Sequence, residues 1–235
     1  PIRLTVSKSK GGKTFDVTVK GISKGELTNL LYKRWVERNR QMVDSLSGGR
    51  LAYVHVRAMN AESFHDVYTD LLGEKNRKCE AAIVDERHNG GGWLHDDLCT
   101  LLNGKNYQKF VPRGKFIGND PFNKWIKPSC VLICEDDYSN GQGFPLVYKT
   151  LGIGKLIGAP IAGTMTAVWW ETLLDPSLVY GIPQVGCMSL DGVYSENTQL
   201  NPDITVYNSP EDYLSGNDRQ LKAAVEEMLK VIDKK

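Results

Sequence analysis

The stretch AAIVDERHNGGG, residues 81–92, decides the fold of this chain because two local patterns follow each other directly in it. Its first part is an uninterrupted apolar run, which is typical of a strand covered on both faces of a sheet. Its second part ends in glycines, which let backbone N–H groups point outward where a helix begins. The stretch therefore predicts a strand, a tight turn and a helix, the repeating unit of an α/β domain.

The same alternation continues on both sides of this stretch. Further strand-like runs lie at residues 51–56, 129–135 and 155–161. Segments with apolar side chains at helical spacing lie at residues 64–72, 94–102 and 144–151. The chain closes with an amphipathic helix from Leu221 to Ile232, for which Asp218 or Asn217 is a suitable N-cap. We therefore predict one main α/β domain over residues 50–235, with helices on both faces of its sheet.

The first 49 residues have a different character. Two alternating β-rich runs, residues 2–6 and 15–20, flank the turn sequence Lys10-Gly11-Gly12 and predict a hairpin. A hairpin buries little by itself, so we interpret residues 1–25 as the end of a preceding β-rich domain. Residues 26–49 are predicted to form a polar helical linker.

Composition excludes some functions. Lys and Arg number 29 against 28 Asp and Glu, and the basic run at residues 32–40 contains an acid, so we expect a solvated helix face and no nucleic-acid partner. No apolar run approaches the roughly 20 residues that cross a bilayer. The five cysteines are odd in number, which favours reduced thiols and a cytoplasmic location over a periplasmic one. Because the chain begins with Pro1 instead of Met and starts directly in a strand-like pattern, we expect a fragment of a longer protein.

Three loops carry residues with chemical potential. The glycines of residues 85–92 can form an anion cradle or a merely flexible turn, and they match no nucleotide-binding motif. Residues 134–141, CEDDYSNG, place Ser139 between an apolar strand and a helix, where a serine can act as a nucleophile or only shape a turn. The pattern is not GxSxG, because Asp137 stands in place of the first glycine. Glu196, in the third loop, is either an orienting carboxylate or a solvated acid.

Taken in order, four motifs resemble landmarks of the tricorn-type and C-terminal-processing serine peptidases of family S41. They are RLAYVHV at residues 50–56, DxRxNxGG at 85–92, YSNG at 138–141 and the run from Glu196 to Ile204. The resemblance implies that Ser139 is the nucleophile, that Gly91 and Asn140 supply the oxyanion-hole amides, and that Glu196 supports the base. It also implies a crotonase-like α/β spiral, PDZ-like strands over residues 1–25, peptide substrates, no cofactor, and a homo-oligomer in the full-length protein.

The catalytic histidine is the weak point of this resemblance. In the family it lies in a segment ahead of the PDZ domain, so we expect it upstream of this chain and expect the chain alone to be nearly inactive. Of the four histidines here, His55 lies in a strand, His65 on a helix, His88 before the glycines and His95 at a helix start. Only His88 is expected near Ser139.

Several alternatives remain open at this stage. A zinc site at His88, His95, Asp96 and Asp97 lacks any zinc-ligand spacing, so no metal is expected. Trp169 and Trp170, with Gly92, are candidates for a substrate groove, although adjacent tryptophans are as often one core and one surface residue. The same fold also suits acyl-CoA chemistry, in which two backbone amides bind a thioester enolate. A non-catalytic module that binds peptides along its strands is the third alternative.

Overall fold

The computed structural model describes residues 1–234, which divide into a small unit over residues 1–38 and a large unit from Asn39 onward. In the small unit, β1 (Ile2–Ser7) pairs with β2 (Thr14–Val19) as an antiparallel hairpin. Gly11 has a φ of +75° in the connecting turn, a conformation that glycine adopts without steric cost. The predicted hairpin is therefore present.

One long helix, α1 (Lys24–Ser47), begins in the small unit and ends in the large one. Gly48 and Gly49 follow it with φ values of +60° and +77°, and this left-handed backbone ends the helix. The segment predicted as a linker over residues 26–49 is therefore helical almost throughout.

The rest of the large unit alternates strands and helices. Its elements, in chain order, are β3 (Leu51–His55), α2 (Ala61–Leu72), α3 (Glu74–Lys78), β4 (Ala81–Asp85), α4 (His95–Leu102), β5 (Gln108–Phe110), β6 (Gly118–Asp120), β7 (Ser129–Ile133), α5 (Asn140–Thr150), β8 (Lys155–Gly158), β9 (Ala167–Thr172), β10 (Val179–Val185), β11 (Ile204–Thr205), α6 (Pro210–Ser215) and α7 (Arg219–Asp233). This is the mixed α/β fold that the sequence predicts.

A five-stranded parallel sheet forms the centre of the large unit, in the order β11–β8–β7–β4–β3. In parallel strands the carboxyl ends lie at one edge, so the loops after β4 and β7 emerge side by side. These two loops contain Gly91 and Ser139, respectively. The topology therefore positions the candidate site.

Both faces of the sheet are buried. Val54, Val84 and Val131 point into one core together with residues of α2, α4 and α5. The helix α7 lies against β4, β7 and β8 and buries one apolar stripe. That stripe consists of Leu221, Ala224, Val225, Met228 and Ile232. Of the two predicted N-caps of α7, Asp218 is the one that accepts a hydrogen bond from Leu221 N.

Two hairpins, β5–β6 and β9–β10, were not predicted from the sequence. The second carries Trp169 and Trp170, which are 60% and 65% exposed. The alternative of one core and one surface tryptophan is therefore wrong. Apolar periodicity predicts strands that bury one face. The two tryptophans are not buried by any of residues 1–234, so the hairpin lacks that pattern.

The cysteine thiols and the helices were also the subject of predictions from the sequence. All five cysteines are free, and only Cys187 lies outside the buried interior. Over residues 1–234, every helix is too short or too polar to cross a membrane.

Candidate active site

The loops after β4 and β7 meet at Gly91 and Ser139. A Cβ atom added to Gly91 would lie 2.7 Å from Ser139 Cβ and 3.1 Å from Asn140 N. Gly91 also has a φ of +92°, which favours glycine. A side chain at position 91 would therefore fill the space beside the serine, and the structure brings these sequence-predicted residues together.

The start of the β4 loop is fixed by a buried ion-pair network. The Arg87 guanidinium lies 2.7 Å from Asp85 Oδ2 and 2.9 Å from Asp218 Oδ2, and its side chain is 2% exposed. Tyr53 OH also donates to Asp85 Oδ2 at 2.8 Å. The Arg87 guanidinium also donates to Gln220 Oε1 at 3.1 Å. Burial disfavours ionised Asp85, but Arg87 outweighs it and holds the pKa of Asp85 below its usual value. Asp85 and Arg87 thus position the loop and join it to α7.

Asn89 links this loop to its neighbours. Its side-chain amide donates to Val56 O at 2.9 Å, and its backbone N–H donates to Asp137 Oδ1 at 3.1 Å. Its side-chain oxygen accepts from Gly91 N at 2.9 Å. The Gly91 amide, which the sequence analysis assigned to an oxyanion hole, is therefore engaged within its own loop in this structure.

The backbone N–H of Asn140, unlike that of Gly91, makes no hydrogen bond within residues 1–234. This N–H lies at the start of α5. The Asn140 side chain is buried, and its oxygen accepts from Leu94 N at 2.8 Å and from His95 N at 3.1 Å, which caps α4. The asparagine thus has an unpaired backbone N–H within residues 1–234, while its side chain holds the start of α4.

Ser139 occupies a strained turn. Its φ of +55° and ψ of −119° are rare for a residue with a side chain and cost about 1–3 kcal/mol. Its N–H donates to Thr164 Oγ1 at 3.3 Å, and within the described chain its hydroxyl oxygen has no hydrogen-bond partner. A serine on a sharp turn between a strand and a helix presents its hydroxyl at the carboxyl edge of the sheet.

The loop of Glu196 is tied to the same region. Gln142, in the first turn of α5, donates to Ser195 O at 3.2 Å and accepts from Thr164 N at 2.8 Å. Glu196 Oε2 accepts from Thr166 N at 2.7 Å, and its side chain is half-buried. Thr164 and its neighbours therefore connect the loop of Glu196 to the loop of Ser139.

The four histidines take separate positions. His95 Nδ1 lies 2.9 Å from Asn140 Nδ2, so His95 adjoins the serine loop and the expectation that only His88 would do so is wrong. His55 Nε2 lies 3.1 Å from Arg87 O, and burial lowers the pKa of His55. His65 is exposed on α2. The His95–Asn140 contact joins the first residues of α4 and α5 and has no local signal in the sequence.

His88 lies at the junction of the two loops. Its Nδ1 is 3.0 Å from Asp136 and 3.8 Å from Cys134 Sγ. His95 instead contacts Asn140, so the zinc grouping of His88 with His95 that the sequence analysis weighed is not assembled.

Gly92 has a packing role. It has a φ of +136°, and a Cβ atom there would lie 2.2 Å from Met59 O. Trp93, which follows it, is 64% exposed and meets the His95 ring edge-on, with centroids 5.3 Å apart. Trp93 was not predicted from the sequence as an exposed aromatic residue beside the Gly91 loop. Its position directly after the glycines was the available signal.

Comparisons with known proteins find similar sequences and structures. The family model for peptidase family S41 matches residues 50–206. The chain is 33% identical over 228 residues to a Sulfurisphaera tokodaii protein described as a tricorn-like protease C-terminal subunit, covering 95% of this chain and 26% of that protein. It is 28% identical over 221 residues to the tricorn protease of Thermoplasma acidophilum, covering 94% of this chain and 20% of that protein.

The same similarity holds in three dimensions. The crystal structure of the tricorn protease matches with a TM-score of 0.85 at 28% identity, over 98% of this chain and 22% of that chain. The chain therefore spans only a fifth to a quarter of the length of these relatives.

Proposed function

Since this chain belongs to peptidase family S41, we propose that it carries the nucleophile and oxyanion site of a serine peptidase that hydrolyses short or unfolded peptides. One observation carries the proposal. Ser139, on a strained turn, has a hydroxyl without a hydrogen-bond partner among residues 1–234, and its Cβ lies beside Gly91, next to the Asn140 N–H that those residues leave unpaired.

The reaction follows from these positions. Ser139 Oγ attacks the substrate carbonyl carbon while its proton passes to a base, and the carbonyl oxygen gains negative charge. Asn140 N–H donates to that oxygen, and Gly91 N–H becomes the second donor when it turns from Asn89 Oδ1. The amine leaves with the proton, and water then hydrolyses the acyl-enzyme and restores the serine.

We assign the base to polypeptide outside residues 1–235. His95 contacts Asn140, His88 contacts Asp136, and His55 contacts the Arg87 carbonyl. Glu196 is the carboxylate that orients the incoming base, because its loop is bonded to the start of α5 and to the Thr164 loop. The isolated chain is then a weak catalyst, since loss of one triad member removes most of the rate.

The finer architecture belongs to the same proposal. The large unit is a crotonase-like spiral, and residues 1–25 are the last strands of a PDZ-like domain. Substrate contacts Gly92 and, on the β9–β10 hairpin, Trp169 and Trp170, whose exposure supports this role. Apolar side chains exposed on that hairpin also support a homo-oligomer. The free cysteines favour the cytoplasm over the periplasm.

The test is peptide hydrolysis by the natural protein that contains this chain. Ser139→Ala is expected to lower the rate by about 10⁴-fold or more without changing the circular dichroism spectrum. Ser177→Ala, an exposed serine in the turn between β9 and β10, is the control and is expected to retain full activity. Undiminished hydrolysis by Ser139→Ala would contradict the proposal and favour acyl-CoA chemistry or peptide binding instead.

A further inference from the structure

We propose that His88, Cys134 and Asp136 form a binding site for Zn²⁺ that joins the loops after β4 and β7. The three side chains come from the two loops that meet at Ser139, yet they are separate from the residues assigned to catalysis. The inference concerns metal binding and does not depend on the proposed peptidase activity.

The distances suit one small cation. Cys134 Sγ lies 2.8 Å from Asp136 Oδ1, and His88 Nδ1 lies 3.0 Å from both Asp136 oxygens and 3.8 Å from Cys134 Sγ. Zinc bonds of about 2.0–2.3 Å in a tetrahedral arrangement place ligand atoms about 3.3–3.7 Å apart. The side chains therefore need only small rotations to surround one ion.

The chemistry of the three ligands also fits Zn²⁺. A thiolate, an imidazole and a carboxylate together carry two negative charges, which balance the charge of the ion. Binding replaces the thiol proton of Cys134, and that proton leaves to solvent. The soft sulfur ligand disfavours Mg²⁺ and Ca²⁺, which bind oxygen.

The backbone holds two ligands in place before any ion binds. His88 has a φ of +68°, an uncommon conformation for histidine, and its backbone N–H donates to Cys134 Sγ at 3.2 Å. Asp137 Oδ1 lies 3.4 Å from the same sulfur and also accepts from Asn89 N. Such outer partners orient metal ligands and commonly accompany them.

The site is open on one side. Cys134 is buried, whereas His88 and Asp136 are exposed, with side-chain exposures of 47% and 67%. An ion can therefore enter from solvent, and a water molecule can complete its coordination. Sequence spacing could not reveal this site, because His88 and Cys134 lie 46 positions apart.

The expected consequence is a clamp between the two loops. Asp136 precedes Ser139 by three positions, and His88 precedes Gly91 by three. A shared ion would restrain both segments, which predicts slower amide hydrogen exchange over residues 86–92 and 134–139 when Zn²⁺ is added.

The test is a Zn²⁺ titration of the natural protein in competition with a chromophoric chelator. The wild type should bind one equivalent more than His88→Asn, a substitution that keeps the left-handed backbone accessible. The affinity at this site should fall by more than the 10–100-fold that loss of an outer partner typically costs. Co²⁺ loaded at the site should show a thiolate charge-transfer band that Cys134→Ala abolishes.

Matched controls make the result decisive. His65→Asn removes an exposed histidine on α2, and Cys187→Ala removes the one cysteine outside the interior. Both are expected to bind Zn²⁺ as the wild type does. The proposal would be overturned if His88→Asn and the wild type bound equal amounts of Zn²⁺ with equal affinity, or if the Co²⁺ spectrum lacked the thiolate band.

Discussion

The loop after β4 and the loop after β7 have the same topology but are built for different tasks. Each leaves a buried parallel strand and enters a helix. The first is fixed by the buried pairs of Arg87 with Asp85 and Asp218. The second holds Ser139 in a strained conformation with its hydroxyl unpaired by residues 1–234. The difference shows one loop fixed by buried ion pairs beside another that holds a strained serine, as the proposed role of Ser139 requires.

The difference between the two loops is tested most strongly by removing the buried ion pairs of Arg87. Arg87→Met leaves Asp85 buried without its positively charged partner, with the Tyr53 hydroxyl still bonded to it, and we expect this to lower the free energy of unfolding by about 3–5 kcal/mol. Urea denaturation measures this change. Adding Asp85→Leu should recover part of the loss, because an apolar pair tolerates burial.

The control for this prediction is Arg50→Met. Arg50 also forms two ion pairs, with Glu80 and Asp233, but it lies at the surface, where solvent screens them. Its loss should be much smaller than that of Arg87→Met. Equal losses at the two positions would show that the buried network does not hold the β4 loop.

A smaller effect is expected at Glu86, which lies between Asp85 and Arg87. Its side chain is fully buried, and neither of its carboxylate oxygens has a hydrogen bond to any of residues 1–234. Burial, followed by Asp137 and Asp85, raises the pKa of Glu86 well above its usual value. The unfolded chain therefore loses this proton at a lower pH than the folded one.

The sign of the pH dependence follows from that difference. Stability associated with Glu86 is complete below the ordinary glutamate pKa of about 4.3 and falls as the pH rises toward the raised folded value. Asp137, whose burial raises its pKa to about 8, acts in the same direction. Glu86→Leu should therefore stabilise the protein at pH 7 by about 1–3 kcal/mol. It should also flatten the decline of stability between about pH 4 and 7 without abolishing it.

Denaturation at several pH values measures this change, with exposed Glu135→Leu as the control. Glu135→Leu is expected to leave the slope with pH unchanged. A destabilised Glu86→Leu protein at neutral pH would mean that the buried acid has a partner that stabilises it.

The two loops also show what could be predicted from the sequence. The strand β4 was predicted in the first part of residues 81–92, because an apolar run before glycines has few alternative conformations. The closing helix and its Asp218 cap could also be predicted, since both depend on local residue spacing. Local sequence patterns therefore predicted the parallel strands and the placement of the motifs at the ends of those strands.

The remaining features depend on residues far apart in the sequence. Arg87 pairs with Asp218, which lies 131 positions later in the sequence. The motif DxRxNxGG could therefore be recognised, but the role of its arginine in fixing the loop could not be predicted. Asn89 engages the Gly91 amide, and Asn140 contacts His95, through tertiary contacts that no periodicity encodes. The exposed β9–β10 hairpin was missed because its apolar residues have no buried face within the described chain.

The central claim is that Ser139 is a nucleophile set against the Gly91 loop, and fluorophosphonate modification of the natural protein tests it most directly. Mass spectrometry should locate one adduct on Ser139. Gly90→Ala, where an added Cβ meets no atom within 4 Å, should react like the wild type, whereas Gly91→Ala should react far more slowly because its Cβ clashes with Ser139. Modification of another serine, or equal rates for Gly91→Ala and the wild type, would contradict the account.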